Sequence, residues 1–238
     1  MDEPRVSVIV PAFNEEDFLG EAIKSVLAQT YGNFETIVVD DGSTDATAEI
    51  AAGYDGVKLV SQENRGLPCA RNAGVKASSG ELLAFLDSDD EMLPDRLKIQ
   101  VGNLLAGPAV GCVVGSQELL VEEGSELPFW APGTESPMFS TRGVFEISDT
   151  PDLYPVTVLL SRALFDEIGG FDETMLKGGE DADLVMRLNE AGVEMTLLKD
   201  KLIRRRIHGR NMTQDDARSK TAVFEIFKRR IDRHRSRA

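Results

Sequence analysis

Along the first hundred residues the spacing of apolar positions changes repeatedly, and the changes mark an alternation of strands and helices. The run VSVIV (6–10) is unbroken and β-branched, as a strand buried on both faces should be. After the polar turn PAFNEED (11–17), Phe18, Leu19, Ala22, Ile23, Val26 and Leu27 recur at helical spacing on one face. FETIVVDD (34–41) predicts a second strand, and GSTDATAEIAAGY (42–54) a helix capped by Ser43 or Thr44. VKLV (57–60) reads as a third strand, 61–80 as a loop, a helix and a glycine stop, and LLAFL (82–86) as a fourth strand. Pro94 sits where the first turn of a helix over 94–105 accepts it. This order predicts an α/β fold, a Rossmann-like open, mostly parallel sheet with helices on both faces.

The second half is less regular. Residues 110–120 read as a strand, and 122–142 as a long loop rich in Pro, Gly, Ser and acids that carries the single tryptophan, Trp130. A strand, a short helix capped near Ser161 and a double-glycine stop follow in 154–173. Residues 178–192 predict a helix burying Leu184, Val185 and Leu188 and ending at Gly192. Two strands (193–199 and 201–207) and a basic amphipathic helix (222–237) complete the pattern.

With 238 residues the chain can bury one substantial core. No apolar run approaches the roughly 18 residues of a membrane span, and the N-terminal residues lack the layout of a secretory signal. Two cysteines without a CxxC pair argue against a zinc cluster or disulfide framework, so a reduced, cytoplasmic setting is expected. The net charge of −15 conceals an asymmetry: residues 201–238 hold 13 Lys/Arg against 4 Asp/Glu. An acidic body with a basic tail argues against nucleic acid as a partner. The tail suits peripheral docking on an anionic membrane face or on a partner protein.

Ligands of open α/β sheets bind beyond the carboxyl ends of the strands. Here those ends carry PAFNEE, Asp40–Asp41 and DSDDE (87–91), so the site is acidic. Neither GxGxxG nor GxxxxGK[ST] is present, which leaves phosphates to be held through a metal. An EF-hand is excluded, because the sixth and twelfth positions counted from Asp87 are Met92 and Lys98. A solvated turn, a haloacid-dehalogenase-type phosphatase, or a divalent cation bridging carboxylates to a diphosphate remain as readings. Crowded like charges favour the cation, Mn2+ or Mg2+.

Three stretches carry a resemblance: VSVIVPAFNEEDFLGEAIKSVLAQTYGNFETIVVDDGSTDAT, then ENRGLPCARNAGVKASSGELLAFLDSDD, then GGFDETMLKGGEDADLVMRL. Together they resemble the family 2 glycosyltransferases of GT-A-type fold. The resemblance implies a single catalytic domain over 1–215, with a nucleotide-binding half (about 1–105), an acceptor-side half (about 106–215) and a helical tail (216–238). It implies an inverting, metal-dependent transfer of a sugar from a nucleotide-diphospho-sugar, most simply UDP-linked, to a saccharide, lipid-linked or protein acceptor. Pro11, Ala12, Phe13 and Glu15 match the segment lining the base, and Asp41 the carboxylate that accepts the uracil N–H. Asn64, Gly66 and Arg71 match a stretch near ribose and phosphates. Asp87, Ser88 and Asp89 form the DxD motif, in which Asp87 faces ribose and sugar and Asp89 the metal, with Asp90 as an adjacent candidate. Asp181, beside Glu180, matches the catalytic base, and His208 a histidine that can complete the metal site. A non-catalytic nucleotide-sugar-binding module is the alternative from another class.

Overall fold

The computed structural model describes residues 3–107, 110–123, 125, 155–176, 178–211, 226, 228–233 and 235. Trp130 and most of the expected 122–142 loop lie outside them. Eight strands form one mixed sheet, in the order β3-β2-β1-β4-β7-β6-β8-β5. Its first half is parallel throughout: β1 (Val6–Ala12) lies between β2 (Phe34–Asp40) and β4 (Leu82–Phe85), and β3 (Val57–Ser61) flanks β2. Every residue of β1 is buried, as its unbroken apolar run requires. The helices between these strands are α1 (Leu19–Leu27), α2 (Thr47–Ala52) and α3 (Leu67–Ala77). α1 turns Leu19, Ala22, Ile23 and Val26 into the core.

The second half departs from parallel order. β7 (Leu159–Ser161) runs antiparallel to both β4 and β6 (Val110–Val121), and the two-residue β5 (Glu91–Met92) runs antiparallel to β8. The two strands expected over 193–207 are one, β8 (Glu194–Ile207), parallel to β6 with register shifts around Gly111 and Gly115. At Gly115 a Cβ would lie 2.0 Å from Leu202 Cδ1, so only glycine lets the strands close at that irregularity.

Three further helices follow: α4 (Arg96–Leu105), α5 (Arg162–Glu167) and α6 (Glu180–Glu190). α5 is capped as expected, Ser161 Oγ accepting from the Leu164 amide at 3.2 Å. α2 starts later than expected, and the hydroxyls of Ser43 and Thr47 instead hold the neighbouring loop. α4 likewise begins two residues beyond Pro94. The described part of the tail, residues 226, 228–233 and 235, is helical and packs along α6. No described helix is long and apolar enough to cross a membrane.

Candidate active site

The loop after β1 is stapled to the loop after β2. The amides of Asn14, Glu15 and Glu16 donate to Ser43 Oγ (2.9 Å), Thr47 Oγ1 (2.8 Å) and Asp45 Oδ2 (3.2 Å), while Asn14 Oδ1 accepts from the Thr44 amide. Asn14 takes a left-handed φ of 55°, which its side chain tolerates better than most. The staple leaves Pro11 and Ala12 buried and Phe13 exposed at the rim. Phe18 is not a core residue: its ring stands 4.6 Å from that of His208, with the guanidiniums of Arg206 and Arg210 over it.

Asp40 and Asp41 are both buried at the end of β2. Asp40 Oδ1 accepts from the Ser43 amide. Asp41 organises the next loop: Oδ1 accepts from Gln62 Nε2 (2.7 Å) and the Arg65 amide (2.9 Å), and Oδ2 from the Gly66 amide (2.8 Å). A carboxylate offers about four acceptor positions, so among the described residues one is left, on Oδ2. Asn64 backs this loop, its amide lying against Gly42.

Beyond β4, Asp87, Asp89 and Asp90 bring one carboxylate oxygen each within 4.8 Å of one another, the spacing of a shared cation. Asp89 Oδ2 accepts from His208 Nε2 (3.1 Å) and Asn211 Nδ2 (3.0 Å). The Arg210 amide donates to His208 Nδ1 at 3.3 Å, which assigns the ring proton to Nε2 and makes His208 a donor to Asp89. Direct ligation by Nε2 would require the other tautomer. Asp90 is buried beneath; Oδ1 accepts from the Arg206 amide (2.9 Å), and Oδ2 has no hydrogen-bond partner among the described residues. Burial and the charges of Asp89 and Asp87 hold the Asp90 carboxyl well above the usual range. Glu15, across the cluster, is pushed up to about 7 by burial and then by Asp89, and its buried Oε2 is unpartnered among the described residues. Ser88 is buried within the turn. Repelling carboxyls with two orphaned oxygens, all hard donors, fit a magnesium- or manganese-like ion.

Arg71 is wholly buried and does not face an open cleft. It gives Nη2 to Asp87 Oδ1 (2.7 Å) and Nη1 to Glu180 Oε1 (2.5 Å), over the Phe171 ring. It thus ties the acid cluster after β4 to the start of α6. The first turn of α6 carries Glu180, Asp181 and Asp183, and Gly179 precedes it at φ 87° with no side-chain cap. A helix N-terminus lowers a carboxyl's pKa, yet burial raises that of Asp181, with Asp87 adding to the rise and Arg71 opposing it. Glu180 is raised by burial against the same arginine.

Asn72 and Arg96 escaped the sequence reading, while Arg204–Arg206 and Arg210 could be read only as screening a diphosphate or facing solvent. Asn72 clamps the corner before α6, its amide group exchanging two hydrogen bonds with the Phe171 backbone (2.9 and 3.0 Å). Arg206 is buried among Glu21, Glu91 and Glu122 and also donates to the Asp89 carbonyl, rather than facing solvent. Arg204 pairs with Glu91 and Glu118, and Arg210 with Asp17. Arg96, fully buried behind the cluster, gives only Nε to a described partner, Gln100. Isolated polar letters carry no period, so only the RRR run between Ile203 and Ile207 hinted at any of these.

The profile of Glycosyl transferase family 2 matches residues 7–169, and that described as the N-terminal domain of galactosyltransferase matches residues 151–214. An uncharacterised glycosyltransferase of Rickettsia typhi is 35% identical over 217 residues, covering 88% of this chain and 66% of the relative. The glycosyltransferase AglE of Haloferax volcanii is 31% identical over 83% of this chain and 65% of its own length. The chain therefore spans about two thirds of these relatives. Among solved structures, the mannosyltransferase PcManGT of Pyrobaculum calidifontis, in complex with GDP-Man and Mn2+, superposes with a TM-score of 0.71 at 22% identity, over 98% of this chain and 65% of that one. TarS 1–349 of S. aureus with UDP-GlcNAc gives 0.67 at 24% identity, over 89% and 61%. At those identities the likeness is one of fold.

Proposed function

The chain belongs to glycosyl transferase family 2, and from that premise we propose that it moves a sugar from a nucleotide-diphospho-sugar to an acceptor hydroxyl with inversion at the anomeric carbon. The observation that carries this reading is Arg71: one buried guanidinium binds both Asp87 of the cation-binding cluster and Glu180 beside Asp181. Donor-holding and proton-accepting carboxyls thereby share one fixed reference, as an in-line displacement requires.

In this reading Asp87 and Asp89 hold the cation, Asp90 supports them from below, and His208 with Asn211 orients Asp89. A divalent ion, when bound, neutralises the charge growing on the leaving diphosphate. The Asp181 carboxylate takes the proton of the acceptor hydroxyl as that oxygen bonds to the anomeric carbon and the bond to the diphosphate oxygen breaks. Its raised pKa makes it a better proton acceptor than an open aspartate. Glu180, held by Arg71, positions rather than reacts.

Phe13, exposed beside buried Pro11 and Ala12, is a stacking platform for the base. The single acceptor position left on Asp41 suits the one ring N–H of uracil; guanine presents two donors on that edge. UDP-sugars are therefore the proposed donors, although relatives of this fold are recorded with both UDP-GlcNAc and GDP-Man. Gly66 and Asn64 shape the loop by the ribose and phosphates. The acceptor, whether saccharide, lipid-linked or protein, is left to the experiment.

Release of free nucleotide from a panel of UDP- and GDP-sugars, measured with Mn2+ and with chelator, tests the reading. Asp181→Asn is expected to lower turnover at least about a hundredfold while nucleotide affinity changes less than threefold. Turnover that persists in chelator removes the cation role, and Asp181→Asn losing nucleotide affinity moves Asp181 to the donor site. Binding of UDP with no turnover of any donor favours the non-catalytic module, and aspartyl-phosphate formation at Asp87 the phosphatase.

A further inference from the structure

The basic tail was the one sequence feature that the active site did not absorb, and its described residues meet this chain's own acids. Arg233 Nη1 donates to Asp183 Oδ1 at 2.9 Å, while its Nε and Nη2 reach Glu190 at 3.1 and 3.4 Å. Arg230 approaches Glu190 at 3.6 Å, and Arg229 pairs with Asp172 in the corner leading to α6. Ile226 is buried against Met175 and Met186, and Ala182 packs on the same cluster. Every one of these partners lies on α6 or on the turn that feeds it.

From these contacts we infer that the C-terminal helix is a strap that positions the catalytic helix, with Arg233 the positioning residue acting through Asp183. The inference rests on the proposed role of Asp181. Asp183 is fully buried two residues after Asp181, and both of its oxygens are used, Oδ2 by Arg187 Nε (2.7 Å) and Oδ1 by Arg233. Removing Arg233 leaves Arg187 on Oδ2 but takes the partner of a buried Oδ1, which is costlier than loss of a surface pair. Arg233 also spans residues 183 and 190, about two turns and roughly 10 Å of helix axis, so it braces α6 along its length.

The first turn of α6 needs such bracing. It gathers three acids, has no side-chain cap, and follows a glycine in the left-handed region. Arg71 fixes it from the sheet side through Glu180. The tail fixes it through Ala182 and Asp183. Asp181 lies in sequence between the residues so held, and Arg229, Arg230 and Arg233 answer acids of α6 and of the turn before it.

Two measurements on the full chain test this. Amide hydrogen exchange of residues 180–190 is followed in the wild type at 0.05 and 0.5 M NaCl and in Arg233→Gln, with residues 6–12 and 34–40 as an internal control. Exchange in α6 is expected to quicken at least about fivefold in the variant and measurably with salt, the control strands staying unchanged. Donor kinetics of Arg233→Gln should show kcat reduced about tenfold with KM for the donor within twofold, and Arg233→Lys should recover part of the loss. Unchanged α6 exchange overturns the strap whether or not transfer is seen, and so does an equal loss of protection in α6 and the control strands. If no donor turns over, the exchange result alone decides the strap; if transfer is robust and α6 exchange unmoved, the strap fails and the transferase reading stands. Should Arg233→Gln not fold, Arg229→Gln, which breaks the partly exposed Asp172 pair, takes its place with the same criteria.

Discussion

Glu15 shows how a single side chain can be set against the stability of its own fold. Its carboxyl is raised from 4.5 to about 7, so between those pH values the folded chain holds a proton that the unfolded chain has lost. Stability on this account falls as pH rises through that window. Measured in chelator, Glu15→Gln is expected to raise the melting temperature by about 2–5 °C at pH 8, on the order of 1 kcal/mol after allowance for partial exposure, and to leave it unchanged near pH 4. An equal gain at both pH values would show that packing, not charge, sets the effect. Asp87, Asp89 and Asp90 were legible as a cluster because three acids after an apolar run break every pattern around them. The ion pairs of Arg71 and the loop contacts of Asp41 were not. Arg71 looks like any polar position of a helix, and only the fold reveals that its partners lie 16 and 109 residues away in sequence.

At the level of elements, the β-α alternation of the first half could be read directly, since β1, β2 and β4 carry apolar runs buried along most of their length and α1 shows one apolar stripe. Outside the first four strands the reading weakened for a physical reason. β7 is three residues long and β5 two, too short for any period to register, and their antiparallel pairing follows from the tertiary fold. The join of 193–199 to 201–207 was hidden by Asp200 and by glycines in the partner strand that let β8 continue through its irregularities. Gly115→Val is accordingly expected to destabilise the chain by roughly 3 kcal/mol or more, since Leu202 cannot yield without leaving the core; denaturant unfolding measures this, and a loss below about 1 kcal/mol would contradict the close approach. Ser161→Ala should cost about 1 kcal/mol through the lost cap of α5, with Ser161→Asp retaining most of it.

Across the whole molecule, charge is arranged by function. The acids collect at the carboxyl ends of β1, β2 and β4 and at the start of α6, and after β4 Asp87, Asp89 and Asp90 stand close enough to share a cation. The arginines of β8 and the tail hold the surrounding frame, pairing with Glu21, Glu91, Glu118, Glu122, Asp172, Asp183 and Glu190. Composition alone gave the sign asymmetry but not that the described arginines of the tail pair with acids of this same chain. The account depends on the aspartates and a diphosphate meeting through a divalent ion. Calorimetric titration of UDP into the full chain, with Mn2+ and with chelator, in wild type and Asp89→Asn, tests that most directly. Mn2+ should tighten UDP binding at least about tenfold in the wild type and less than twofold in the variant. Equal UDP affinity with and without the ion in the wild type would contradict it.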